Sequence, residues 1–415
     1  MKKARKIISV LLLFAIIFLN LNTYADDLLN ENDSDEVQEQ LQEATVEPTK
    51  VPTLNSRAAI IYDRISKTIL YGKQENTKRP MASTTKVMTS IVVLEKAKLS
   101  DVVEVSKKAA GTGGSRLGLK TGDKITVHDL LYGLMLCSGN DAAVPLAEYV
   151  GGSVAEFAEF MNQKSKELEL KNTSFVTPHG LDAQEHYTTA YELAKMTDYA
   201  LNIQEFYKIV GTKEYTISIN GESKNIRNTN ELLGNLNGVY GVKTGFTNGA
   251  NRCLVTSTKR DDMDIICVVL GADTKKNRTQ DSAKLIEYAF SNYQMIDLQK
   301  IVQEEFEKRK SNNIIDVIKG EKENLEYDWD TSIIGNYPIL KEEVNDIEIK
   351  ITIQEELVAP VYLNQVVGEI KILVAKKEIL QAKITAKEEI NKKGIYNYFK
   401  EFILKYPQYV EKVIR

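Results

Sequence analysis

Cysteine is scarce. Cys137, Cys253 and Cys267 are too few and too scattered among 415 residues to lay out a disulfide framework, so they are read as small buried apolar side chains. A bridge between Cys253 and Cys267 would need them to face each other on neighbouring strands. Histidine is as rare: His128, His179 and His186 show no paired ligand spacing, so no metal site and no cofactor are expected. The chain also has little in the way of long apolar runs. The run from Ile7 to Leu19 is shorter than the roughly 20 residues that cross a bilayer. Lys2, Lys3, Arg5 and Lys6 precede it and Thr23-Tyr24-Ala25 follows, which predicts an export signal over residues 1–25 cleaved after Ala25, with an uncleaved anchor as the alternative. Excess positive charge is missing too. Cleavage removes four of the 54 Lys and Arg and none of the 58 Asp and Glu, which leaves a net charge of 50 minus 58, or −8, and argues against nucleic acid as the partner.

What remains has the composition of a globular protein, with 43% apolar and 27% charged side chains. Residues 26–51 carry nine acids and one Lys and read as a disordered acidic linker. Two short apolar runs, 58–62 and 68–71, then form a hairpin pattern. Helical periods dominate from Ser83 to about Tyr207, over 83–97, 127–137, 140–150 and 154–169 among others. Strand patterns return at 238–243, 253–258 and 265–270, followed by a helix over 279–291. This order predicts an α+β domain over 52–296, an antiparallel sheet flanked by helices with a helical subdomain, in which the first and last segments share the sheet. Alternating patterns at 347–353, 368–374 and 380–384 predict a small β-sandwich over 297–387. From Glu388 the period turns helical, with Ile395, Phe399, Phe402, Tyr406, Val410 and Val413 on one face, Lys400, Lys405, Lys412 and Arg415 mostly opposite, and a kink at Pro407. Residues 388–415 are therefore expected to be an amphipathic tail that meets a membrane surface, the alternative being a helix packed on its own β domain.

Three short motifs carry the chemistry. Ser83-Thr84-Thr85-Lys86 places a hydroxyl and an amine three residues apart, on one face of a helix. If burial and nearby positive charge keep it neutral, Lys86 can take the proton of Ser83. S-x-x-K arises by chance about once or twice in such a length, and its plain reading is a helix start capped by Ser83. Ser138-Gly139-Asn140 falls at a break between helical patterns, where Ser138 can relay a proton to a departing amine and Asn140 can hold a substrate amide; its plain reading is a turn and a helix cap. Lys243-Thr244-Gly245 follows the strand pattern of Gly238 to Val242. There Lys243 would supply positive potential, Thr244 would bind a carboxylate, and Gly245 would let a substrate backbone approach as an added strand. Lys120-Thr121-Gly122 spells the same tripeptide between polar residues and reads as a surface turn.

Ser138 lies 52 residues after Lys86, and Lys243 lies 105 after Ser138. With this order, the strings Arg79 to Thr89, Cys137 to Ala143, Thr177-Pro178-His179-Gly180-Leu181-Asp182 and Gly241 to Thr247 make the chain resemble the low-molecular-mass serine D-alanyl-D-alanine carboxypeptidases, among the penicillin-recognising serine acyltransferases. The likeness is close over 52–295 and only architectural beyond. It implies an acyl-enzyme on Ser83, an oxyanion held by the backbone N–H groups of Ser83 and Phe246, peptidoglycan stem peptides as substrate, β-lactams as inhibitors, and a place at the outer face of the cytoplasmic membrane or in the cell wall. It also brings Arg227 and Arg278 to the substrate's carboxylate side, although a structural ion pair is the equal alternative for each. His179 is read as a hydrogen-bonded loop residue. Phe246 departs from the family, in which this place is often polar.

Two rivals remain. A class A β-lactamase needs a further Glu in an E-x-x-L-N string, and Glu167-Leu168-Glu169-Leu170-Lys171 puts Lys171 where Asn belongs. A catalytically idle penicillin sensor or cell-wall binding protein would leave the motifs without work.

Overall fold

The computed structural model describes residues 50–405. The expected export signal, nearly all of the acidic linker and the last ten residues of the tail lie outside the described residues. The chain divides into two compact units, through Asn292 and from Tyr293 onward. The division falls before the expected boundary because Tyr293–Asp297 is a strand paired antiparallel with Asn336–Leu340 of the second unit.

In the first unit, strands β1 (Ala58–Asp63), β2 (Ile69–Lys73), β7 (Val239–Thr247), β8 (Asn251–Arg260) and β9 (Met263–Ala272) form an antiparallel sheet in the order β2-β1-β9-β8-β7. Its first and last segments share that sheet, as the order of patterns implied. Strands β1 and β9 are buried almost throughout, which explains their unbroken apolar runs, whereas β7 is an edge strand. The helix Lys86–Lys96 runs through the core on Val87, Met88, Ile91 and Val92, every one of them inaccessible or nearly so. Helices Val127–Met135, Asn140–Gly151 and Val154–Glu167 complete the helical part, and Lys275–Asn292 packs on the sheet. Two antiparallel pairs come in addition to the expected strands: β3 (Val102–Glu104) with β4 (Lys124–Thr126), and the hairpin of β5 (Glu214–Ile219) with β6 (Glu222–Arg227). The second turns at Asn220-Gly221, both at positive φ, the pair that suits a two-residue hairpin turn. Cys253 and Cys267 are buried free thiols, and Cys267 stands opposite Thr256, so the register never brings the two sulfurs face to face.

The second unit is β-rich, with a four-stranded and a three-stranded sheet. It also contains a helix that the alternating texture did not suggest, Leu298–Asn312, capped by Asp297. Leu298, Val302 and Phe306 stand four apart and bury one face in the core cluster that also holds Trp329, Ile370 and Ile384. The chain belongs to this core as far as Ile390, which bridges to Val361, so the terminal helix starts at Ile395 and not near Glu388. Among the described residues no helix is long and apolar enough to cross a membrane.

Candidate active site

Ser83 does not open the long helix. It sits in one turn of 3-10 helix, Ala82–Thr85, which passes into the α-helix at Lys86, and its side chain makes no cap. With three residues per turn, positions i and i+3 eclipse, so the two functional groups stack. Lys86 Nζ donates to Ser83 Oγ at 2.7 Å, to Asn140 Oδ1 at 2.7 Å and to the His179 carbonyl at 2.9 Å. Lys86 is wholly buried, and these three acceptors are uncharged. Burial holds the His179 imidazole down at about 3, so its ring is neutral and Nδ1 accepts from the Leu181 N–H.

Asn140 opens its helix directly after Gly139, and its Nδ2 donates to the Gly113 carbonyl at 2.8 Å. The next residue, Asp141, is fully buried and accepts from the backbone N–H groups of Leu117, Gly118 and Leu119, which clamps the 113–119 loop to the helix start. Ser138 is buried at φ +58°, a left-handed conformation that a serine holds only when its surroundings enforce it.

The second Lys-Thr-Gly copy lies on β7. Lys243 and Thr244 are almost inaccessible; Lys243 Nζ donates to the Thr244 carbonyl at 3.1 Å, and Thr244 Oγ1 lies 2.8 Å from Thr229 Oγ1. Gly245 also has a reason to be glycine beside the expected approach of a substrate backbone. A Cβ here would lie 3.0 Å from Ser83 N, 3.1 Å from Ala82 Cβ and 3.2 Å from Thr84 N, so the missing side chain lets the edge strand press on the turn that carries Ser83. Phe246 is half-buried, with the Arg252 guanidinium stacked 3.9 Å from its ring centroid. The other copy is a surface turn with Gly122 at φ +85° and open space around it.

Both arginines meet protein carboxylates. Arg227 is exposed on β6 and pairs at 3.7 Å with Glu214, its cross-strand neighbour. Arg278 is fully enclosed and donates to Glu231 Oε1 and Oε2 at 2.7 and 2.8 Å. Of the two roles weighed for each, the geometry displays the ion pair.

Several residues at the site escaped the sequence reading. Thr229, Asn230 and Glu231 form a buried polar stretch: Thr229 meets Thr244, Asn230 Nδ2 donates to the Gly241 carbonyl at 2.8 Å, and Glu231 also accepts from Thr279. Their only signal was a polar run ahead of Leu232-Leu233 with no helical or strand period. The 177–182 loop also does more than carry His179. Gly180 sits at φ +86° with its missing Cβ 1.9 Å from the Ala82 carbonyl oxygen, and Asp182 accepts from Thr247 Oγ1 at 2.6 Å and Gly249 N–H at 2.9 Å. The loop thereby ties the nucleophile's turn to the end of β7. Glu167, the near-miss for a lactamase base, pairs with Lys164 at 2.6 Å and is half-exposed.

Comparisons with known proteins agree with this arrangement. The family model described as D-alanyl-D-alanine carboxypeptidase, peptidase S11, matches residues 43–274. The one described as the C-terminal domain of penicillin-binding protein 5 matches residues 301–392, which extends the likeness into the second unit as sequence and not only as architecture. D-alanyl-D-alanine carboxypeptidase DacF of Bacillus subtilis is 35% identical over 351 residues, 83% of this chain and 88% of that protein. DacC of Escherichia coli is 35% identical over 378 residues, 87% of this chain and 90% of the relative. The crystal structure of penicillin binding protein 5 from Haemophilus influenzae superposes with a TM-score of 0.70 at 27% identity, over 83% of this chain and all of the other. A hydroxyl stacked on a buried lysine amine under a Lys-Thr-Gly edge strand, together with relatives of this identity and coverage, means that the chain belongs to the D-alanyl-D-alanine carboxypeptidases of the peptidase S11 family.

Proposed function

We propose that the protein removes the terminal D-alanine of peptidoglycan stem pentapeptides through an acyl-enzyme on Ser83, and that β-lactams acylate the same hydroxyl. The observation that carries this reading is the 2.7 Å hydrogen bond between Lys86 Nζ and Ser83 Oγ, made by a wholly buried lysine. As the free amine, Lys86 keeps two N–H donors for Asn140 Oδ1 and the His179 carbonyl and turns its lone pair to Ser83, so that it accepts the hydroxyl proton while Oγ attacks the carbonyl of the penultimate D-alanine. The N–H groups of Ser83 and Phe246 hold the resulting oxyanion; removing one such donor typically costs about a hundredfold or more. Asn140 holds the peptide amide, Lys243 supplies positive potential and Thr244 takes the terminal carboxylate. Ser138 relays the proton to the departing amine, the C–N bond breaks, D-alanine leaves, and water hydrolyses the ester.

With Glu167 engaged by Lys164, no carboxylate of the lactamase kind is assigned to speed that last step, so penicilloyl-Ser83 should persist. The test is incubation with a fluorescent penicillin, alongside release of D-alanine from a pentapeptide ending in D-Ala-D-Ala. A long-lived adduct absent from Ser83→Ala is expected. Rapid release of the label would favour a lactamase, and labelling without D-alanine release would favour a sensor.

We also propose that residues 1–25 direct export and that the tail rests on the membrane surface, which would put the enzyme against the cell wall. In support, the described helix Ile395–Lys405 leaves Ile395, Tyr396, Phe399 and Leu404 exposed. The mature protein should co-sediment with anionic vesicles, and a form ending at residue 393 should not. Equal binding of both forms would refute a role for the tail.

A further inference from the structure

Ala82, immediately before Ser83, has φ +49°, a left-handed backbone that is unfavourable for an L-residue with a side chain and that the surroundings must impose. Part of that constraint is visible. The Ala82 carbonyl accepts from Thr85 Oγ1 at 2.8 Å, and Thr85 Oγ1 lies 2.8 Å from Nε2 of His186. On the far side of the ring, Nδ1 accepts from the Val176 N–H at 2.9 Å. An accepting Nδ1 leaves the proton of the neutral ring on Nε2, so the direction of the chain is settled: His186 donates to Thr85, which donates to Ala82. His186 and Thr85 are both buried, and Phe175 packs edge-on against the imidazole at 5.9 Å.

We propose that His186, acting through Thr85, is a positioning residue for acylation: the relay holds the left-handed Ala82 turn, and with it the direction in which Ser83 Oγ and the Ser83 N–H point. The inference rests on Ser83 being the nucleophile, and it assigns a function to a histidine that lies in none of the three motifs. The hydrogen bond from the Thr85 hydroxyl to the Ala82 carbonyl is the local link, three residues back along the chain. His186 supplies the second link from a loop 101 residues away and fixes the rotamer of Thr85. Without that donor the Thr85 hydroxyl can turn, the Ala82 carbonyl loses an oriented partner, and the turn relaxes from the conformation that stacks Ser83 on Lys86.

The experiment uses the full mature protein and two breaks at different links. Thr85→Val keeps shape and removes the hydroxyl; His186→Asn keeps an acceptor for the Val176 N–H and removes the donor to Thr85. Active sites are first titrated with fluorescent penicillin, so that rates are expressed per competent site and loss of folded protein does not count. Each variant is expected to acylate at least tenfold more slowly per site, with KM for the pentapeptide changed less than twofold. The double variant should be no slower than the worse single one, since one chain is cut twice. Thr85→Ser should recover the rate to within about threefold of wild type. Wild-type rates per site in both Thr85→Val and His186→Asn, or independent multiplication of their effects, would overturn the proposal. Wild-type protein that takes no penicillin at all would instead overturn the reading of Ser83 on which it stands.

Discussion

Replacing Gly245 by Ala asks whether the edge strand sets the position of the nucleophile. Gly245 is outside the left-handed region, so an alanine there meets no backbone penalty; the only new element is the methyl group, 3.0 Å from Ser83 N and 3.2 Å from Thr84 N. Ordinary contacts of this kind lie at about 3.5 Å or more, so strand and turn must part by about half an ångström. A displacement of about 1 Å at a reacting centre costs about a hundredfold, which puts the half-ångström effect at about tenfold in acylation rate, or about 1.4 kcal/mol of barrier. Overpacking of this sort destabilises by about 1–3 kcal/mol, and a unit of this size should lose a few degrees of Tm for each kcal/mol. The assay is rapid-mixing acylation with fluorescent penicillin, normalised to titrated sites, alongside thermal unfolding. The chain carries its own control, because Gly122→Ala in the other Lys-Thr-Gly copy meets φ +85° but nothing within 4 Å. That variant should lose about 1–2 kcal/mol of stability to backbone strain and none of its acylation rate. A folded Gly245→Ala that acylates within twofold of wild type would refute the idea that packing of β7 on the Ser83 turn aims the hydroxyl.

Gly180→Ala should be far more damaging. Its Cβ would lie 1.9 Å from the Ala82 carbonyl oxygen at φ +86°, and loss of penicillin labelling with a Tm lower by several degrees is expected; retained labelling at normal Tm contradicts the packing described. Arg278→Ala leaves Glu231 charged and enclosed, which should cost about 3–5 kcal/mol, read as a large fall in Tm, while Arg227→Ala, at an exposed pair, should leave Tm nearly unchanged. Acid should destabilise the first unit. Burial holds the His186 imidazole down at about 4 and the neighbouring His179 at about 3, against about 6.5 for an unfolded histidine. Between those values the unfolded chain binds more protons, so stability is full above about pH 6.5 and is lost as pH falls toward 4, by about 3 kcal/mol from His186 alone. The nearby Asp182 carboxylate opposes that shift. The fall in Tm from pH 7 to pH 4.5 should be smaller in His186→Asn, and an equal fall in both proteins would contradict the assignment.

Much of this molecule follows from local chemistry. Buried strands β1 and β9 are legible as apolar runs, and the helices after Ser83 as 3.6-residue periods, because burial of one face or of both imposes those patterns on any sequence that folds. The three motifs are equally local: spacing alone puts Ser83 within reach of Lys86. The chain could also separate its two Lys-Thr-Gly copies, since one follows a strand pattern and the other lies among turn residues. Polar residues whose partners come from distant segments were not legible in this way. Glu231 with Arg278, Asp182 with Thr247 and His186 with Thr85 are separated by 47, 65 and 101 residues, and no periodicity records such a pairing. The helix Leu298–Asn312 carries a local signal too, Leu298, Val302 and Phe306 at a spacing of four, but three apolar positions in a charged segment make it a weak one until a sheet is there to receive them. Tertiary structure alone likewise decided the second reason why Gly245 is glycine. The sequence offered room for a substrate backbone, and only the approach of Ser83 N to within 3.0 Å of where a Cβ would stand shows that the absence also serves the packing of β7 on the Ser83 turn.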